Sequence, residues 1–147
     1  MTLRRPAVEA RLRRLHQVTR RLRRFRARGV EQIREDEDLQ WLVERGLHLG
    51  CEIVLDVGNH VMVGVFGRPS EQYEQILDGL AAEGVITPEL RAELAGLGGF
   101  RNVLVHDYLD IDLDRVLAAL EKAPERFDRF AMELHAWLAR REGESGP

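Results

Sequence analysis

Apolar residues recur along almost the whole chain at three- and four-residue steps, the period of a helix with one buried face. Val8, Leu12, Leu15, Leu22 and Phe25 make the first stripe, with Arg between them and Gly29 as its stop. The acidic run Glu35-Asp36-Glu37-Asp38 sits where a helix N-terminus favours negative charge. From it a long helix is predicted through Leu39, Leu42, Val43, Leu47, Ile53, Val54, Val57 and Val61. Gly46, Gly50 and Gly58 each cost about 1 kcal/mol against Ala inside a helix. Their presence predicts close approach of a neighbouring element. The segment from Gly64 to Pro69 reads as a loop and Ser70 as the N-cap of a third helix ending at Gly84. Thr87-Pro88 opens a fourth, since Pro suits the first helical position, and Gly96, Gly98 and Gly99 loosen it. A fifth is expected from Asp112, kinking or breaking at Pro124 and resuming through Phe127, Phe130, Leu134, Trp137 and Leu138. Residues 61–66 suit a short strand, but nothing in the chain supplies its partner. The expected fold is an all-α bundle of five or six helices.

The length, 147 residues, suits one domain, expected over residues 1–142 with a frayed tail at 143–147. Cys51 is the single cysteine, which excludes an internal disulfide and any site needing two thiolates. The longest stretch without a charged residue, Val57 to Gly67, falls well short of the roughly 20 apolar residues of a membrane span. No apolar run follows the basic N-terminus, and residues 1–28 contain no Ser, so neither a secretory signal nor a transit peptide is expected. A cytoplasmic protein that does not enter membranes is the expectation. The formal net charge of −3 conceals an asymmetry: residues 1–28 carry eleven Arg against one acid, Glu9. Lys122 is the only lysine. Arg forks match phosphate and carboxylate oxygens two at a time, which Lys does not.

Chemistry concentrates in Arg101-Asn102-Val103-Leu104-Val105-His106-Asp107-Tyr108, which places a permanent cation, an imidazole and a phenol within eight residues. At about 100° per residue, Arg101 and Tyr108 fall on nearly one helix face, and His106 lies about 140° from Arg101. A regular helix therefore does not aim both at one small target. They converge if the helix ends or bends near Val105, or if two copies of the segment meet across a two-fold axis. Such a pair suits metal-free cleavage of an RNA phosphodiester. The imidazole moves a proton near neutral pH, and the guanidinium stabilises charge building on the phosphorane. The plain alternative is an Arg paired with a nearby carboxylate and a His that ends a helix.

The run from Phe100 to Tyr108, followed by Asp110-Ile111-Asp112, resembles the Arg-x4-His-x-Tyr signature of the HepT toxins, ribonucleases of the HEPN superfamily. The likeness extends to Ile53-Val54-Leu55-Asp56-Val57-Gly58-Asn59-His60, to Pro69-Ser70 and to Leu80-Ala81-Ala82-Glu83-Gly84-Val85-Ile86, covering roughly residues 38–120. The resemblance implies a HEPN-type up-and-down bundle acting as a homodimeric endoribonuclease. It needs neither metal nor cofactor and is the toxin of a type VII toxin–antitoxin pair. Carried onto this chain, Arg101 and His106 are the catalytic pair and Asn102 their polar support. Tyr108 is the tyrosine AMPylated by a cognate MNT-type nucleotidyltransferase antitoxin. The added bulk and negative charge would repel an entering RNA phosphate. A non-catalytic subunit that presents substrate to the nucleotidyltransferase is the alternative.

Other residues carry weaker signals. Asp56 and His60 share a helix face, as a second acid–base pair, a cleft lining or a solvated contact. His48 and Cys51 lack a third ligand nearby, and Cys51 reads as a small buried hydrophobe. The Arg-rich first helix lies outside the family pattern. It suits RNA phosphates, an acidic surface of a neighbouring subunit or antitoxin, or plain solvation.

Overall fold

The computed structural model describes residues 3–107 and 109–144. The described residues are helical with no strand, in seven segments: α1 Arg5–Ala27, α2 Val30–Glu35, α3 Glu37–Phe66, α4 Tyr73–Ala82, α5 Pro88–Glu93, α6 Leu97–His106 and α7 Leu113–Glu144. Five of these have ten residues or more, and α2 and α5 are six-residue helices. The helical bundle expected from the periodicity is therefore the fold. Residues 145–147 of the expected tail lie outside the described residues.

Three long helices build the core. The stripe Val8, Leu12, Leu15, Val18 and Leu22 of α1 is buried against α3 and α7. Arg11 reaches Asp56 and Leu22 meets Gly46, so α1 and α3 run antiparallel. Ion pairs Arg23–Asp128 and Arg26–Glu125 fix α1 antiparallel to α7 as well. Phe127 beside Gly50 and Trp137 beside Phe66 show α3 and α7 running the same way. The close approaches expected at the α3 glycines are present. A methyl group on Gly46 would press on Leu22, one on Gly50 on the Phe127 ring, and one on Gly58 on Ile76 and Leu80. Among the described residues, α3 is the one helix with the length and mean hydropathy of a membrane span. Its packing against α1, α4, α6 and α7 makes it the central helix of the bundle.

The predicted boundaries hold where a specific cap sets them. Asp36 accepts a hydrogen bond from the Leu39 amide, and the Thr87 hydroxyl accepts one from the Leu90 amide, each satisfying a donor left open by a helix start. Three expectations are corrected. The loop expected from Gly64 begins only at Gly67: residues 61–66 are the last turns of α3, which ends at Gly67 with φ of 62°, a left-handed stop. Ser70 is not the next N-cap; α4 starts at Tyr73 after Gln72. Pro124 lies inside an unbroken α7, flanked by buried Ala123 and Phe127, so core packing outweighs the missing amide donor.

Candidate active site at the end of α6

α6 is held at its start by a neighbour rather than by its own cap. The Glu74 carboxylate of α4 accepts from the amides of Gly96 (2.7 Å) and Gly98 (3.2 Å), placing negative charge at the positive end of α6. Gly98 lets the two elements touch, because a Cβ there would lie 2.6 Å from Tyr73 Cβ. One turn on, Arg101 turns inward. Its Nε donates to Glu52 of α3, its Nη1 donates to Asn102 Oδ1 at 3.1 Å, and its guanidinium stacks 5.2 Å from the Tyr73 ring centroid. Of the five N–H donors of an arginine, three keep no partner among the described residues. The side chain is 19% exposed. The hydrogen bond that Arg101 donates to the Glu52 carboxylate raises its pKa above the already high ordinary value, so the cation is permanent.

His106 is the last residue of α6 and is exposed, with Asp107 ending the helix. The helix runs through His106, so Arg101 and His106 both lie on its regular turns, and the helix end does not bring imidazole and guanidinium together within one chain. Within one chain no hydrogen bond or ion pair joins Arg101 to His106; the one points to α3 and the other to solvent. Asn102 is exposed beside Arg101. Tyr108, the expected AMPylation acceptor, lies outside the described residues.

Glu52, the carboxylate that accepts from Arg101, belongs to a polar stripe on the central helix. His48, Glu52 and Asp56 follow one another at four-residue steps, and His48 Nε2 lies 3.6 Å from Glu52. Glu52 and Asp56 line a cavity of about 380 Å³ with Asn59, Gln72, Tyr73 and Ile76. Asp56 pairs with Arg11 of α1, not with His60, whose Nε2 is buried with no hydrogen-bond partner. Cys51 is fully buried, and burial, reinforced by Glu52, pushes its thiol up to about 12, so it offers no thiolate at neutral pH. Among the described residues no three His, Cys, Asp or Glu side chains group as a metal site would require. Sequence reasoning missed Glu52, Tyr73 and Glu74 as supports. The available signal was the four-residue polar spacing through 48, 52 and 56 in an otherwise apolar helix.

The Gly98–Tyr73 contact gives a direct test of how α6 is placed. Gly98→Ala should lower stability by about 1–3 kcal/mol, since overpacking outweighs the gain in helix propensity. Calorimetry reads this as a lower melting midpoint; a raised midpoint would show that α6 is not fixed here.

Known proteins with this architecture share its sequence pattern. The family described as ribonuclease HepT-like matches residues 15–134. The tRNA nuclease HepT of Aphanizomenon flos-aquae is 26% identical over 139 residues, 94% of each chain. The mRNA nuclease HepT of Shewanella oneidensis is 32% identical over 100 residues, covering 67% of this chain and 74% of that one. Among solved structures, the tri-AMPylated HEPN toxin of Shewanella oneidensis in complex with MNT antitoxin superposes with a TM-score of 0.78. It is 26% identical and covers 88% of this chain and 96% of that chain. The cytosolic protein YutE of Bacillus subtilis, of unknown function, gives 0.80 at 29% identity over 100% of this chain and 97% of that one. With the family's pattern spanning α1 to α7 and its Arg-x4-His segment closing α6, this chain belongs to the HepT-like ribonuclease family.

Proposed function

We propose that this protein is a cytoplasmic endoribonuclease toxin, working as a homodimer and held silent by an MNT-type nucleotidyltransferase antitoxin. The observation that carries this reading is the position of Arg101 and His106 on α6. A permanent cation with donors to spare is anchored by Glu52 and Tyr73, and an exposed imidazole sits five residues on at the helix end. Two copies of α6 meeting across a two-fold axis would bring one chain's His106 toward its mate's Arg101.

In that arrangement His106 takes the proton of an RNA 2′-hydroxyl. The freed oxygen attacks the adjacent phosphorus, and the P–O bond to the 5′-oxygen of the next nucleotide breaks. A second imidazole or water returns a proton to that leaving oxygen, giving a cyclic phosphate and a free 5′-hydroxyl. Arg101 donates to the phosphorane oxygens through N–H groups not engaged by Glu52 and Asn102. No step needs a metal. Asn102 supports the catalytic pair by holding one Nη1 donor of Arg101 in place.

Tyr108 is the proposed acceptor of AMP from the antitoxin, two residues beyond His106. An adenylate there sets a negative charge beside the path of the scissile phosphate, which opposes RNA entry. The purified, unmodified protein should cut single-stranded RNA in EDTA at the same rate as without it, read on a denaturing gel. Loss of cutting in EDTA, restored by a divalent cation, would overturn metal independence. An unmodified protein that cuts nothing under either condition would leave the substrate-presenting role instead.

A further inference from the structure

We infer that the outward face of α1 is a binding surface for the RNA backbone, an inference that rests on the nuclease reading for its choice of ligand. Arg13, Arg14, Arg20, Arg21, Arg24 and Arg28 are all exposed. At 100° per residue they fall within an arc of about 120°, and at 1.5 Å per residue they extend over roughly 22 Å. No acidic residue lies in α1 after Glu9.

The chain treats its other α1 arginines differently. Arg5, Arg11, Arg23 and Arg26, on the flanks of the helix, each pair with a carboxylate, at Glu9, Asp56, Asp128 and Glu125. On the outward face, Arg14 and Arg28 donate only to the neutral amides of Gln17 and Gln32. Arg13, Arg20, Arg21 and Arg24 have no hydrogen-bond or ion-pair partner among the described residues. Like charges one turn apart repel, so Arg20–Arg24 and Arg24–Arg28 weaken the isolated helix. A ligand that neutralises the row removes that repulsion. A single-stranded polyanion does so with phosphates that each accept a guanidinium fork. One flank of α1 reaches the elements of the candidate active site. Arg11 of the same helix pairs with Asp56, and Asp56 lines the cavity beside Glu52, the partner of Arg101. RNA lying along α1 therefore leads toward α6.

The test uses the full-length protein and a fluorescein-labelled single-stranded 2′-O-methyl RNA, which binds but lacks the nucleophile. Anisotropy titrations across a salt series compare the parent with the combined variant Arg13→Gln, Arg20→Gln, Arg24→Gln. Each lost phosphate contact should reduce the slope of log affinity on log salt by about 0.7, so the combined variant should lose about 2 in slope. Its affinity near 0.1 M salt should fall roughly 100-fold. Should the combined variant not fold, Arg20→Gln and Arg24→Gln singly carry the test, at about 0.7 each. An unchanged slope overturns the proposal. If that unchanged slope comes with lost self-association or lost nucleotidyltransferase binding, the face belongs to an acidic protein surface instead. Cleavage of unmodified RNA separates this outcome from the nuclease reading. A variant that loses slope as predicted beside a parent that never cuts refutes the nuclease alone, and a parent that cuts beside a variant of unaltered slope refutes the surface alone.

Discussion

Replacing His106 by Ala should slow cleavage of single-stranded RNA by roughly 100- to 10,000-fold, the range set by removing a general acid or base. Arg101→Ala should cost roughly 100- to 1,000-fold, as loss of a donor aimed at developing charge does. The two effects should not add, because residues acting on one transition state fail as a unit. His106 is exposed at the end of α6, so its removal should leave the melting midpoint unchanged. Arg101 also holds Glu52 and Tyr73, so Arg101→Lys separates its two roles. Lys keeps a cation near Glu52 but lacks the fork, so stability should be retained while most of the rate is lost. Parent-like cleavage by either Ala variant would remove that residue from the chemistry.

The sequence carried local information well and long-range information poorly. α1, α3 and α7 were legible because each repeats a buried apolar stripe over many turns, and Thr87-Pro88 because a cap acts within one turn. Residues 61–66 were ambiguous for a physical reason. Val61 and Met62 are buried and 63–66 are partly buried, so the segment lacks the polar spacing that reveals a helical period. Ser70 looked like a cap by residue type, but the left-handed turn at Gly67 and the chain through Gln72 delay the helix to Tyr73. In the site, the Arg101-x4-His106 spacing lies within one helix and was visible. Glu52 is 49 residues from Arg101, and Glu74 is 24 from Gly98. Those pairings exist only after α3, α4 and α6 have packed, so no local pattern encodes them. The same holds for α1: its arginines were countable at once, but which of them are spent on ion pairs with α3 and α7 depends on the tertiary fold.

Gly50 and Phe127 should behave as a coupled pair, and their substitution should give the largest stability effects in the molecule. Phe127 is 2% exposed, and its ring occupies the space that a Cβ on Gly50 would need. Phe127→Ala should cost about 3–5 kcal/mol, from lost burial plus the cavity left behind. Gly50→Ala gains about 1 kcal/mol in helix propensity, yet it should destabilise by about 1–3 kcal/mol because the ring and the new methyl group cannot both fit. The sign of the second effect should depend on the first. In a Phe127→Leu background the flat ring is gone, so Gly50→Ala should be neutral or stabilising, with a coupling of about 1–3 kcal/mol in a denaturant-based double-mutant cycle. The pair also bears on the site, since Gly50 sits two residues before Glu52 on the helix that anchors Arg101. If α3 moves off α7 to make room for the methyl group, Glu52 moves with it, and RNA cleavage should fall in Gly50→Ala and recover when Phe127→Leu is added. Additive stabilities in the cycle would show that α3 and α7 do not meet at this contact.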